Sequence, residues 1–125
     1  MAGKFAPPSR SFFAPPGAVK ISQTALELAR EFAAQVEAGS QGRPQMIVFD
    51  WSDSRAVRQP LGGPWVDLGA GLDLAAYDLQ DISADLIQEI DGVRFAVKIS
   101  RHIYEASSLR LIDTDSEARS GLTLR

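Results

Sequence analysis

His102 and Glu105 stand three residues apart in the run from Ser100 to Ser107, and on a helical turn they would share one face. An imidazole and a carboxylate so placed are candidate metal ligands. A metal centre takes three or four ligands, however, and this chain has one histidine. A remote carboxylate or a second subunit would have to complete the set, so a histidine hydrogen-bonded to its surroundings is the expectation. The carboxylates Asp67, Asp73, Asp78, Asp81 and Asp85 form a second group. Their spacing lacks the alternating ligands, central glycine and terminal glutamate of a calcium loop. Aspartates between Asp50 and Asp85 could still pair in space, as in carboxylate-dependent hydrolases, although scattered surface aspartates are the usual explanation. Neither a Gly-x-Ser-x-Gly elbow nor a phosphate-cradling Gly-x-x-x-x-Gly-Lys occurs. With no cysteine, thiolate nucleophiles, disulfides, zinc fingers and cysteine-ligated clusters within one chain are excluded. No catalytic residue is assigned, and no cofactor or metal is expected.

Three aromatic residues stand out as partner-binding candidates. Phe12 and Phe13 lie between two Pro-Pro pairs in residues 1–18, a stretch expected to be an extended arm because paired prolines forbid helix and favour polyproline II. The arm would pack its two rings on its own domain or a symmetry mate, or present them to a partner. Trp65 follows the turn-rich Leu61-Gly-Gly-Pro64, which either delivers the indole into the core or exposes it as an interface device. Arg43, Arg55 and Arg58 lie near the same loops and could form a small anion patch.

The elements that must position these residues are mostly strands. Thr24 and Glu27 fit a capping box, and Leu28, Phe32 and Val36 then recur at helical spacing beside Ala25, Ala29 and Ala33. This predicts an amphipathic helix ended at Gly39. Met46 to Trp51 is a continuous β-prone run; Trp65 to Leu68 predicts a short strand, and Leu72 to Tyr77 alternates weakly. Residues 82–90 fit a helix or a strand by period alone. Asp91-Gly92 decides for a strand, because this dipeptide between β-prone runs signals a type I′ hairpin. Val93, Phe95, Val97 and Ile99 alternate through its second arm. A helical turn over 100–107 and strands over 109–112 and 121–125 complete a β-rich α+β reading of one domain over residues 19–125.

In this order the elements resemble the HesB/IscA family of iron–sulfur assembly proteins, the A-type carriers. Val19-Lys-Ile-Ser-Gln-Thr-Ala25 before an alanine-rich helix is similar to that family's opening strand and helix. Asp91-Gly-Val-Arg-Phe-Ala-Val97, then Ser100-Arg-His-Ile-Tyr104, resembles its hairpin, strand and short helix. Met46-Ile-Val-Phe49, Leu111-Ile-Asp113 and Ser120-Gly-Leu-Thr-Leu124 match further strands. The resemblance implies a mixed-sheet pseudo-barrel with one main N-terminal helix. It also implies three cysteine ligands. The counterpart of the first is Gly69-Ala70-Gly71 or Leu61-Gly62-Gly63, without a thiol, and Arg125 stands about where the closing pair would begin.

The expected function is therefore a non-catalytic binding or assembly module on a carrier-like scaffold that has lost cluster ligation. Two alternatives stay open: an iron-binding or assembly protein using carboxylates, His102 or a partner chain, and a small enzyme using loop aspartates. The resemblance implies a homo-oligomer with protein partners. A net charge of −3 argues against nucleic acid. The interrupted N-terminus and the lack of a long apolar run predict no targeting signal and no membrane span, with the cytoplasm as default.

Overall fold

The computed structural model describes residues 11–52, 56–58, 62–67, 70–118 and 120–125, and the side chains of 56–58 and 65–67 lie outside the described set. Among these residues the chain is strand-rich α+β with one main helix, and no sheet closes into a barrel. The expected pseudo-barrel is thus corrected to two mixed sheets and a separate strand pair: the strands stop short of closure and end on free edges.

The larger sheet is built around β3 (Gln45–Ser52) and β8 (Val93–Ser100), which run parallel. β6 (Gly71–Asp78) pairs antiparallel along the whole of β3. The other edge of β8 is shared: β1 (Ser11–Phe13) pairs with its C-terminal half and β7 (Gln88–Ile90) with its N-terminal half. The smaller sheet orders β10 (Leu122–Leu124), β9 (Leu111–Thr114) and β2 (Lys20–Ile21), with β2 parallel to β9. β4 (Ala56–Arg58) and β5 (Trp65–Asp67) form a two-stranded ribbon.

Helix α1 (Gln23–Gly39) lies on one face of the large sheet. Ser22, rather than Thr24, is its N-cap: the Ser22 hydroxyl accepts the Ala25 N–H at 3.1 Å. Thr24 instead bonds outward to Thr114 (2.9 Å) and Asp113 (3.4 Å), tying the helix start to β9. Gly39 remains helical and the left-handed residues are Gln41 and Gly42, so the stop falls two residues later than the glycine rule suggests. Buried Ala25 and Ala29 let the helix approach closely, and Leu26 joins Phe49, Leu72, Phe95, Val97, Ile99 and Ile112 in the main core. Phe49 and Phe95 meet edge to face at 5.6 Å.

A second, smaller core covers part of the opposite sheet face. Met46, Val48, Ala96 and Ile82 form it, with Leu79, Leu86 and Ile87 packed alongside. Leu79 and Leu86 belong to two 3₁₀ turns, Leu79–Asp81 and Ala84–Leu86, and Ile87 caps the second, so the strand expected over 82–90 is confined to β7 at Gln88–Ile90. Asp91 and Gly92 then both adopt positive φ, at 50° and 81°, as a type I′ turn requires. A short helix α2 (Arg101–Ala106) leaves β8 directly.

Candidate functional site

Alternation along β3 sends Ile47, Phe49 and Trp51 toward α1 and leaves Met46, Val48 and Asp50 on the opposite face. Register then decides the neighbours of Asp50, which stands opposite Asp73 of β6 on one side and Lys98 of β8 on the other. The Tyr77 hydroxyl donates to Asp50 Oδ2 at 2.8 Å, and Lys98 Nζ donates to the Tyr77 oxygen at 3.4 Å. The ammonium also lies 5.4 Å from the Tyr77 ring centre and 5.8 Å from that of Phe13, and the two rings meet edge to face. Burial pushes the Tyr77 phenol above its usual value of 10.0, and the Asp50 hydrogen bond and charge push the same way, opposed by Lys98. A neutral phenol held between an ammonium and a carboxylate is a satisfied chain of donors.

A cleft of about 670 Å³ opens at the other end of α1, between the helix, the start of β3 and the Asp91–Gly92 turn. Ala33, Val36, Ile47 and Val93 give it apolar walls, and Arg30, Arg43, Arg94 and Glu37 supply its charges. Arg30 Nη2 donates to the Asp91 carbonyl at 2.8 Å, which pins the helix to the hairpin. Gln45 Nε2 donates to Asp78 Oδ1 at 2.8 Å and fixes another wall. Among the described residues, the guanidinium groups of Arg43 and Arg94 have no hydrogen-bonding or ionic partner. A second depression of about 560 Å³ adjoins the first and shares Arg43 with it.

The sequence-selected residues fall in several places. Phe12 meets Tyr104 edge to face at 5.6 Å and carries the Arg101 guanidinium at 4.5 Å. On the far side Arg110 stacks on Tyr104 at 4.0 Å and donates to its hydroxyl at 3.1 Å. Phe13 belongs to the Tyr77–Lys98 cluster, so both arm rings contact their own domain. Trp65 opens β5, and its side chain lies outside the described residues. His102 and Glu105 share α2 and are exposed, and His102 is engaged by a neighbour. Among the described residues no three histidine or carboxylate side chains gather as a metal site.

Of the aspartates, Asp73 joins Asp50, Asp78 holds Gln45, and Asp81 and Asp85 are exposed on the 3₁₀ turns. Asp67 ends β5, with its side chain outside the described residues. Arg55 and the side chain of Arg58 also lie outside them. Arg43 lines the cleft with Arg30 and Arg94, from the helix and the hairpin. Sequence alone missed Tyr77, Lys98, Arg30 and Arg94 because strand register and helix placement bring them in. Compared with protein-family models, curated proteins and solved structures, the chain matches none.

Proposed function

We propose that the chain is a non-catalytic binding module built on a scaffold of the A-type carrier kind. The succession of β2 into α1, then the Asp-Gly hairpin, β8, α2, β9 and β10 supports the scaffold reading, since it follows the layout the resemblance implies. The absence of cysteine supports the loss of cluster ligation. The observation that carries binding is the cleft at the end of α1, where apolar walls and charged groups converge in a volume suited to a small ligand. On this reading the module is cytoplasmic and self-associating.

Nuclear magnetic resonance of the ¹⁵N-labelled chain with mixtures of small molecules tests this. Saturable shifts at the Val36, Gly92 and Val93 amides are expected. Ligands that move only the Asp50–Tyr77–Lys98 cluster, or that are chemically converted during the experiment, would overturn it.

A second reading, a small enzyme using aspartates, draws on the facing pair Asp50 and Asp73. It predicts that Asp50→Asn and Asp73→Asn each abolish turnover of a hydrolysable substrate while leaving the fold intact.

A further inference from the structure

The cleft at the end of α1 has a chemical bias that narrows its ligand. We infer that it binds a small organic anion, with an acidic group at Arg43 and Arg94 and an apolar body against Ala33, Val36 and Ile47. This rests on the binding-module reading and adds the ligand class.

Charge is the first argument. The whole chain carries a net charge of −3, yet the cleft lining holds three arginines and one glutamate. Two of those guanidinium groups, Arg43 and Arg94, have no partner among the described residues. Guanidinium is a planar fork of donors matched to carboxylate, sulfonate or phosphate oxygens. Opposing charges are close by. Glu37 lies in the lining, Glu89 is the cross-strand neighbour of Arg94, and α1 directs its C-terminal carbonyls this way. Ser40 answers part of that last effect, since its hydroxyl and N–H both donate to the Glu37 carbonyl. Asp78 and Asp91 also border the cleft, through Gln45 and Arg30, but within the lining itself the arginines outnumber the carboxylates three to one.

Shape is the second argument. At about 670 Å³ the cleft falls within the roughly 300–1,000 Å³ of small-molecule pockets, which favours a compact ligand over a macromolecular surface. Its walls are already held: Arg30 bridges to the Asp91 carbonyl and Gln45 to Asp78. A pre-formed cleft spares the ligand the cost of ordering it.

The test uses two probes with a common ring system: 8-anilinonaphthalene-1-sulfonate, and uncharged N-phenyl-1-naphthylamine. Fluorescence titration and amide shifts are recorded on the natural chain and on Arg43→Gln, Arg94→Gln and Lys20→Gln, the last on β2 in the other sheet. One-to-one binding of the sulfonate is expected, with shifts at Val36, Gly92 and Val93. Affinity should fall about tenfold in each cleft variant, as loss of a charge-assisted hydrogen bond implies, and stay unchanged in Lys20→Gln. The uncharged probe should bind at least tenfold more weakly. Equal binding of both probes in the cleft, indifferent to the arginines, would overturn the anion assignment and leave the binding module standing. Shifts confined to another surface overturn the anion site, and no saturable shift from either probe overturns both readings. Amide dispersion of each variant confirms that a lost affinity is not a lost fold.

Discussion

Ser22 shows how one hydroxyl fixes the start of the main helix. Its oxygen accepts the Ala25 N–H, while Thr24, the residue the capping pattern favours, reaches across to β9. Both are short polar residues ahead of an apolar stripe, and sequence cannot say which of them adopts the extended backbone of a cap. Ser22→Ala should lower stability by about 1 kcal/mol, read as a reduced midpoint in urea. Thr24→Ala should cost less, since its bonds are exposed. Tyr77 gives a prediction in pH. Its phenol titrates above 10.0 in the folded chain, and the unfolded chain, at the ordinary value, releases that proton first. The contribution of this group to stability is therefore fully present below about pH 10 and is lost as pH rises through the folded value. Tyr77→Phe should flatten that alkaline loss, read as urea midpoints measured at rising pH. Asp113 shifts in the opposite direction. The Ser22 hydroxyl, the Thr114 N–H and Arg125 hold its carboxyl below 3.8, so whatever it contributes is present above that value and fades on acidification.

At the scale of elements, legibility followed how local each signal was. The Asp91–Gly92 turn was readable because its chemistry is confined to two adjacent residues, and the alternation of β8 because one face is buried throughout. Gly92→Ala should cost about 1–2 kcal/mol, the ordinary penalty of left-handed backbone for a residue with a Cβ. No atom lies within 4 Å of where that Cβ would stand, so the loss is conformational and not steric. β6 was hard to see because Asp73, Ala75 and Tyr77 face a region only partly covered, which blurs its alternation. Residues 79–87 were harder still. Their apolar side chains cap the second core from two 3₁₀ turns, and neither helix nor strand periodicity describes such a segment. The candidate sites drew on pairings between distant segments. Asp50 meets Lys98 through register, and Arg30 meets Arg94 because α1 crosses the hairpin. Neither relation is written in local sequence.

For the whole molecule, the burden of stability falls on the layer between α1 and the large sheet. Phe49 is fully buried there against Phe95, and Phe49→Ala should cost about 3–5 kcal/mol, a large part of the margin of a small domain. Thermal or urea unfolding checks it. On the proposed reading, mixing the chain with ferrous iron and sulfide under reducing conditions should give no stable visible absorbance. A persistent cluster band would point to ligation by carboxylates, His102 or a partner chain.

The divided edge of β8 bears on a different hazard. The N-terminal segment Ser11–Phe13 occupies the stretch from Lys98 to Ser100, and β7 closes the stretch from Val93 to Phe95. Both are short; one comes from near the start of the sequence and the other is the hairpin strand immediately before β8. Together they mask backbone groups that would otherwise template another chain. Phe12 and Phe13 thereby act as latches, each seated against an aromatic ring of the domain. Replacing both by serine should loosen the latch and bare a central strand of high β-propensity. The expected result is association that grows with concentration and time, followed by light scattering and by a dye for cross-β fibrils.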